Sequence, residues 1–389
     1  MPPIERVLNI CDVLALQFSE RADQHDRDGS FPFENASDLR DAGLPALTVP
    51  TEFGGSGALL CDMVQVLQHL ARGDASTALG VAMHLHIMGQ QAETRSWLPE
   101  PYEALCYEVV SRRLFVNTAA SEPEMGSPSR GGMPATTATP VEGGYRINGR
   151  KSWVTFAPAL DYILTSATIV SETDATQRLS GVFAVAGNAQ GVRIQDNWGT
   201  ALSVRASGSC EIEYRDVFVP ARWHVETRRQ GDLPRTPPMP PAWSASAFAS
   251  VYLGVGEAAL AAFATYARQR IPSALGKPIA ELPSVQRVIG QMDVTLRAAR
   301  AVLFETARRW DVKPEWRHTM AAEFAAAKYL CTNAAVTATE LAVRAAGANG
   351  LDRRLPLERF FRDARAGLMH PPQDDLALEL MGRQVIHPV

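Results

Sequence analysis

The chain has 389 residues, of which 46% are hydrophobic and 21% are charged, and its formal net charge is −4 at pH 7. A chain of this length and apolar content can bury the cores of two or three domains. Acidic and basic residues are mixed along the sequence, so no extended basic surface is predicted and a nucleic-acid partner is not expected.

The cysteines and the N-terminus bear on where the protein works. Five cysteines are dispersed without the CxxC or CxxH spacing of a zinc site, so we expect reduced thiols, no metal and a cytoplasmic location. The N-terminal segment contains Glu5 and Asp12 and lacks the basic and apolar regions of a signal peptide. No window of about eighteen residues is both uncharged and apolar throughout, so neither a membrane-spanning helix nor a membrane partner is predicted.

Residues 1–112 are predicted to form a mostly helical domain. The segment "DMVQVLQHLARGDASTALGVAMHLHIMGQQ" (62–91) repeats apolar residues at helical spacing and is broken near Gly73-Asp74. The preceding segment "GLPALTVPTEFGGSG" (43–57) is punctuated by Pro and Gly, which is typical of a loop.

Residues 113–225 have a different pattern, in which short alternating runs are separated by Gly, Asn and Pro. Gly143-Gly144 and Asn148-Gly149 are both dipeptides typical of hairpin turns, so two turns between short strands are predicted here. The segment "SGSCEIEYRDVFVP" (207–220) alternates again. We expect a compact all-β domain, either a barrel or a sandwich.

A Pro-rich linker, residues 226–242, is predicted to separate this domain from residues 243–389, which are helical in pattern. Three long Ala-rich segments, 243–270, 283–311 and 317–346, are followed by a shorter terminal one. Their periodicity predicts an antiparallel four-helix bundle. The order of helices, strands and helices indicates an α+β multidomain fold and argues against a doubly wound parallel sheet.

One motif is not given a functional meaning. "GVGEAA" (254–259) fits the G-x-G-x-x-A pattern of dinucleotide-binding proteins. It lies inside a helical pattern with no strand before it, so a Rossmann phosphate site is not predicted.

Five further segments form an ordered set along nearly the whole chain. They are "LRDAGLPALTVPTEFGGSGA" (39–58), "AASEPEMGSP" (119–128), "INGRKSWVTFAPALDYIL" (147–164), "LSVRASGSCEIEYRDVFVP" (202–220) and "AAGANGLDRRLPLERFFRDAR" (345–365). Each resembles a signature of the acyl-CoA dehydrogenase superfamily. The resemblance implies that family's fold, with a helical N-terminal domain, a central β-domain and a C-terminal four-helix bundle.

The resemblance also implies a flavin site. In the family a W-I-T strand packs on the isoalloxazine ring, and the matching residues here are Trp153, Val154 and Thr155. A tryptophan offers an apolar platform, and a threonine hydroxyl can hydrogen-bond near flavin N5 or the pyrimidine edge. Ser121, Gly126 and Ser127 match the family's T-E-P-x-x-G-S loop, whose backbone N–H groups approach a phosphate.

Other family contacts to FAD come from a second subunit. Arg270 matches the arginine that reaches the FAD diphosphate across an interface, and Gly347 and Asn349 match a second contact region. Arg344 stands where the family usually has Gln. A site built from two subunits requires at least a dimer, so a homodimer or homotetramer is expected, with FAD as the cofactor and FMN as the alternative.

The segment "RDARAGLMHPP" (362–372) departs from the family. Acyl-CoA dehydrogenases remove the α-proton of an acyl thioester with a carboxylate while the β-hydrogen passes as hydride to flavin N5. The Glu of the family's Y-E-G-T segment lies nine residues after the Arg of its R-D pair, which is Pro371 here, and the preceding Tyr is His370. A second branch of the family carries its Glu on the first bundle helix, near Ser244 of this chain. Neither position holds a carboxylate.

Three functions are consistent with this departure, and the first is the leading interpretation because the overall pattern is closest to the acyl-CoA dehydrogenase family. The first is α,β-oxidation of an acyl thioester with a substitute base, for which His370, Asp374 and Asp375 are candidates. The second is a monooxygenase or N-hydroxylase reaction using reduced flavin and O₂, because dibenzothiophene monooxygenase shares the fold, lacks the Glu and has a comparable Arg...His-Asp-Pro ending. The third is binding without catalysis.

Two more histidines lie in "AMHLHIM" (82–88), on the helix that lines the substrate cavity in the family. His84 and His86 are two residues apart, so they face different directions and cannot share a metal as an i, i+4 pair would. His84 is taken as a further catalytic candidate. The expected partners are an acyl thioester or another small-molecule substrate, and an electron-transfer flavoprotein or a flavin reductase.

Overall fold

The computed structural model describes residues 4–124, 132–170, 179–229 and 240–387. Helices come first, strands follow, and helices end the chain. This order confirms the predicted fold class. Most of the Pro-rich linker, residues 230–239, lies outside the described residues.

The N-terminal helices surround an apolar core. They are α1 (Ile4–Asp28), α2 (Phe33–Asp41), α3 (Leu60–Ala71), α4 (Ala75–Thr94) and α5 (Pro99–Arg112). The predicted break at Gly73-Asp74 separates α3 from α4, and the Asp74 carboxylate caps α4 by accepting from the N–H groups of Ser76 and Thr77. A Cβ at Gly73 would lie 2.1 Å from the carbonyl oxygen of Ala15, so only glycine fits this turn against α1.

The central part is an eight-stranded sheet. Its strands are β1 (Val116–Ala119), β2 (Thr137–Val141), β3 (Gly144–Val154), β4 (Tyr162–Ile169), β5 (Leu179–Ala186), β6 (Val192–Gln195), β7 (Cys210–Pro220) and β8 (His224–Arg229). They run in the order β6-β7-β3-β2-β4-β5-β8, and β1 pairs with β4 in parallel. The long strand β3 lies between β2 and β7, so both of its edges are hydrogen-bonded to neighbouring strands.

One of the two predicted hairpin turns is correct and the other is wrong. β2 and β3 pair up to Val141 and Gly144, so a tight turn does join them. Asn148-Gly149, in contrast, lies inside β3, where the pairing with β7 shifts register between Ile147 and Gly149. Gly149 has φ +144°, and a Cβ there would lie 2.6 Å from Thr136 Cα. The dipeptide therefore forms a β-bulge that packs closely against Thr136.

The C-terminal helices are α6 (Ala242–Gln269), α7 (Pro283–Val312), α8 (Ala321–Ala346), α9 (Leu357–Met369) and α10 (Asp374–Ile386). The third predicted helix starts four residues later than its pattern suggested, because Pro314–Thr319 forms a 3₁₀ segment. The helix α6 packs against α3, α4, α7, α8 and α9, so it joins the N-terminal helices to the bundle.

By length and composition alone α6 is long and apolar enough to cross a membrane. In the structure 72% of its most apolar window is buried, as is usual for the core helix of a bundle. The "GVGEAA" motif lies within it, and its glycines serve packing. A Cβ at Gly254 would lie 2.5 Å from the carbonyl oxygen of Gln68 on α3.

The close approach of α6 to α3 at Gly254 leads to a first prediction, on stability. Gly254→Ala should destabilise the protein by about 1–3 kcal/mol, because the new methyl group must push α3 away from α6. Gly290→Ala is the matched control, since Gly290 also lies within a helix but a Cβ added there would meet nothing within 4 Å. The control should be neutral or stabilising by about 0.5–1 kcal/mol. Urea unfolding of both variants checks this, and equal effects of the two would contradict it.

Candidate active site

Trp153 is turned out of the sheet at the end of β3. The pairing of β3 with β7 shifts register between Lys151 and Val154, and Trp153 has φ +57°, an uncommon value for a residue other than glycine. Trp153 is 57% exposed, whereas Val154 and Thr155 are buried. The irregularity therefore presents an aromatic face beside the sheet, as the predicted flavin contact requires.

Hydrogen bonds fix the backbone just after Trp153. Asn117 Nδ2 donates to the carbonyl oxygen of Thr155 at 2.9 Å, and the Thr155 hydroxyl lies 2.9 Å from that of Ser209. Ser209 also lies 2.8 Å from the hydroxyl of Ser207. The end of β3 is thus tied to β1 and to the start of β7.

The residues at this position fit a flat aromatic group with a polar edge. The hydroxyl of Ser152 is buried and has no hydrogen-bond partner within the described ranges. Such a group is costly to leave unsatisfied, which is a reason to expect a ligand beside it. Together with the exposed Trp153 indole, it supports the flavin contacts predicted for this segment.

A buried ion pair, which no local sequence pattern indicated, supports the strand. Lys151 Nζ lies 2.7 Å from Glu122 Oε1, and both side chains are almost fully buried. Glu122 also accepts from the N–H groups of Ala135 and Thr136. Burial alone would raise the pKa of Glu122, but hydrogen bonds from Lys151 and Thr136 hold it below its usual value.

The same pair places Ser121 beside β3. Ser152 N–H donates to the carbonyl oxygen of Ser121 at 2.9 Å, so the predicted phosphate loop begins next to the strand. Gly126 and Ser127, also predicted to bind the cofactor, lie outside the described residues.

The residues predicted to contact cofactor across an interface are at helix ends on the surface. Arg270 is exposed and follows α6, while Gly347 is exposed, has φ +64° and ends α8. Asn349 follows in the 3₁₀ segment Gly347–Leu351 and is partly exposed. Arg344, at the position where Gln is usual, pairs with Glu340 at 3.3 Å. The role of these residues in a second subunit's site stays a prediction.

His370 lies over α6. Its ring stacks on Phe248, with 4.1 Å between centroids and 9° between planes, and its Nε2 lies 3.0 Å from the hydroxyl of Tyr252. Burial, and then the charge of Lys328, lower the pKa of His370 to about 3. The imidazole is therefore neutral at physiological pH.

Asp374 anchors a helix. It accepts from Asn333 Nδ2 at 2.9 Å, and its other carboxylate oxygen lies 3.7 Å from the Nζ of the fully buried Lys328. These contacts tie the first turn of α10 to α8, just after residues 370–373, which we call the His370 loop. Its neighbour Asp375 is exposed at the surface. These contacts give Asp374 a structural role and disfavour its action as a substitute base.

His84 is also engaged by the backbone, and these contacts disfavour its predicted role as a catalytic candidate. Its Nε2 donates to the carbonyl oxygen of Pro45 at 2.8 Å, and its Nδ1 accepts from the Val116 N–H at 3.0 Å. Burial lowers the pKa of His84 to about 4, so the ring stays neutral and joins a loop, α4 and β1. Both nitrogens are occupied, and the residue has none left for proton transfer.

His86 is the histidine of α4 that faces the stacked ring. Its ring centroid lies 6.4 Å from that of Phe248. Its Nδ1 is buried without a hydrogen-bond partner among the residues that the structure describes, and burial lowers its pKa to about 4. The period of the helix could have indicated this choice, because His84 and His86 cannot both face α6.

The alternative base position on α6 is occupied by Ser244, whose hydroxyl is bound to the backbone. The hydroxyl of Ser244 donates to the carbonyl oxygen of Pro241 at 3.3 Å, in the first turn of the helix. The neighbouring Trp243 packs onto Gly89 of α4, where an added Cβ would lie 2.1 Å from the indole. The Trp243 indole therefore fills the space between this part of α6 and α4.

The R-D pair of α9, Arg362 and Asp363, fixes the position of this helix and of the His370 loop that follows it. Arg362 binds Asp26 of α1 through two nitrogens, with contacts of 2.6 and 3.0 Å. The carboxylate of Asp363 accepts from the Val204 N–H at 2.7 Å and is buried. Burial raises the pKa of Asp363 to about 7. The pair thus fastens α9, and with it the His370 loop, to α1 and to the segment before β7.

Comparison with known proteins agrees with this architecture. The N-terminal, middle and C-terminal domains of acyl-CoA dehydrogenase match residues 9–101, 117–217 and 246–373. YdbM of Bacillus subtilis (strain 168), whose name places it among the acyl-CoA dehydrogenases, is 36% identical over 98% of this chain and 96% of its own length. Dibenzothiophene monooxygenase of Rhodococcus erythropolis is 28% identical, over 92% of this chain and 88% of its own length.

Among solved structures, FMN-bound TdsC from Paenibacillus sp. A11-2 superposes with a TM-score of 0.85 at 24% identity. The match covers 98% of this chain and 97% of that one, and at this identity it shows the fold alone. The fold and the matched domains define a flavin-dependent oxidoreductase. The chain belongs to the acyl-CoA dehydrogenase family.

The buried ion pair of β3 leads to a second prediction. Glu122→Gln should destabilise the protein by about 3–5 kcal/mol, because it leaves Lys151 charged and buried without its partner. Lys151→Met combined with Glu122→Gln should recover much of this loss, since no charge is then left in the core and the Gln oxygen can still accept from the N–H groups of Ala135 and Thr136. Urea unfolding of both proteins measures the effect; a single variant as stable as the wild type would refute the prediction.

Asp363 leads to a third prediction, on pH. Its folded pKa of about 7 lies above its usual value, so the native state holds a proton there that the unfolded state has released. Its contribution to stability is therefore present at pH 4 and is lost as the pH rises towards 7. Asp363→Asn cannot ionise and can still accept from Val204. The stability of the variant relative to the wild type should rise between about pH 4 and 7, by at least about 1 kcal/mol. Unfolding across this range tests it, and a pH-independent difference would contradict the assignment.

Proposed function

We propose that this protein is a flavin-dependent monooxygenase built on the acyl-CoA dehydrogenase fold. The observation that carries the proposal is the environment of His370. At the family's base position the chain has proline, and the adjacent imidazole is stacked on Phe248 with its Nε2 engaged by Tyr252. A neutral ring held in this way suits hydrogen bonding to a reacting group better than removal of a carbon-bound proton.

The chain's own residues provide the surroundings for the chemistry. A bound flavin would supply two electrons, so that one atom of O₂ enters the substrate and the other leaves as water. Trp153 would support the ring, and Ser121 with the loop after it would approach the phosphate. Phe248 and the neutral histidines His86 and His370 would form an uncharged wall that limits the entry of water.

The cofactor, assembly and location follow from the same reasoning. FAD is the family's cofactor and FMN the alternative, since FMN is bound in the TdsC structure. Arg270, Gly347 and Asn349 at surface helix ends support a homodimer or homotetramer in which a second copy completes the site. A flavin reductase would supply reduced flavin in a cytoplasmic setting, consistent with dispersed cysteines.

Dehydrogenation of an acyl thioester is the second candidate. Its support is the full-length relationship to YdbM at 36% identity and the match of all three domains of the family. In that case His370 would have to release Tyr252 and act as the base, and an electron-transfer flavoprotein would accept the electrons. The acyl thioester would be either a CoA or a carrier-protein derivative.

A two-arm experiment separates the candidates. Purified protein loaded with FAD or FMN is mixed without oxygen with a panel of acyl-CoA thioesters, and loss of oxidised-flavin absorbance is followed. In the second arm the protein receives flavin reductase, NADH and isotopically labelled O₂ with small organosulfur and amino compounds. We expect no bleaching in the first arm and one labelled oxygen atom in a product of the second. Bleaching by any thioester supports dehydrogenation, and a protein that takes up no flavin would refute both candidates.

His370 gives a residue-level prediction. His370→Ala should lower the rate of product formation by roughly 10²-fold, as loss of a catalytic hydrogen-bonding group does. His318→Ala is the control, because His318 is exposed in the 3₁₀ segment Pro314–Thr319. Both variants are compared by turnover at saturating substrate and by flavin content. Unchanged turnover in His370→Ala would remove this residue from the chemistry.

A further inference from the structure

Tyr252 and His370 form a pair whose proton positions can be deduced. Tyr252 is fully buried on α6, and its hydroxyl lies 3.0 Å from Nε2 of His370. Gly367 of α9 makes room for the phenol ring, since an added Cβ would lie 2.8 Å from it. The ring is therefore held from two helices, and its hydroxyl is aimed at the imidazole.

The buried phenol needs an acceptor for its single proton. Among the described parts of the chain, Nε2 of His370 is the only hydrogen-bond partner of the Tyr252 hydroxyl. If Nε2 carried the imidazole proton, it would donate to the phenol oxygen, and the phenolic proton would be left buried and unsatisfied. That loss costs about 1–3 kcal/mol, which is enough to decide between two tautomers of similar energy.

The charge states agree with this assignment. Burial raises the pKa of Tyr252 well above its usual value, so the phenol keeps its proton and remains a donor. Burial, together with the charge of Lys328, lowers the pKa of His370, so the doubly protonated ring that could accept no hydrogen bond is disfavoured.

We infer that Tyr252 is a positioning residue that holds His370 in the Nδ1–H tautomer, so that the ring offers an N–H donor to the site. The unprotonated Nε2 faces α6 and is covered by the phenol, while Nδ1 has no partner in the described ranges. The inference rests on the proposed function for its consequence. An N–H donor can hold an oxygen atom of O₂ or of the substrate, whereas a base would need an unprotonated nitrogen at that place.

Histidine ¹⁵N NMR on the flavin-loaded protein reads the tautomer directly. Long-range proton–nitrogen spectra distinguish a protonated ring nitrogen from an unprotonated one, and the spectrum of His370→Asn assigns the His370 signals by their loss. We expect Nδ1 to be protonated and Nε2 unprotonated in the wild type. In Tyr252→Phe the proton should shift at least in part to Nε2.

A matched control is available elsewhere in the chain. Tyr145 of β3 places its hydroxyl 3.2 Å from Nδ1 of His224, remote from α6 in sequence. Tyr145→Phe should change the signals of His224 and leave those of His370 unaltered. A wild-type His370 protonated at Nε2, or a Tyr252→Phe spectrum identical to the wild type at His370, would overturn the inference.

Activity provides a second measurement that does not depend on the stability of Tyr252→Phe. The side-chain amide of Asn places an N–H group near the position of Nδ1, and that of Gln places one near Nε2. His370→Asn should therefore retain about tenfold more turnover than His370→Gln, the value of one hydrogen bond. The opposite order would contradict the donor role. If the NMR result is as expected but no oxygen enters any product, the proposed function fails and the tautomer assignment stands.

Discussion

The close packing of α6 is the constraint on which the rest of the structure depends. This helix lies against helices of both the N-terminal part and the C-terminal bundle, and its small residues allow the backbones to approach closely. It also carries Phe248 and Tyr252, the two side chains that hold His370. The position of the imidazole is thus set by the same contacts that hold the two helical parts together. A shift of α6 would change both the position of the His370 imidazole and the packing between the two helical parts.

The fold was largely predictable from the sequence, because period and turn chemistry are local properties. The break at Gly73-Asp74 is an example, since the cap that starts α4 comes from the adjacent residue. The Asn148-Gly149 dipeptide shows the limit of this reasoning. Its preference for a turn is real, but pairing on both edges of β3 and a close neighbour at Thr136 make it a bulge instead. Long-range partners decided the outcome, and they cannot be read from a local pattern.

The site was predicted less completely, for a related reason. The register fixed by Arg362-Asp363 located His370 and showed that a carboxylate is missing, since that requires only counting along the chain. The tasks of His84 and Asp374 depend on partners far away in sequence, namely Val116 for the first and Lys328 for the second. The same holds for the Lys151–Glu122 pair, whose members are recognisable as partners only once the strands are placed. Residue type indicates what a side chain can do, and its neighbours decide what it does.

The apolar surface of α6 also has a consequence for how the chain is made. When residues 242–269 leave the ribosome, α3 and α4 have already been synthesised and can cover one side of the helix. The other side must wait for α8 and α9, more than fifty residues later in the sequence for the start of α8. During that interval the face of α6 that later packs on α8 and α9 is uncovered. The order of synthesis therefore leaves an interval in which this apolar surface is exposed, and exposed apolar surface on a nascent chain favours aggregation.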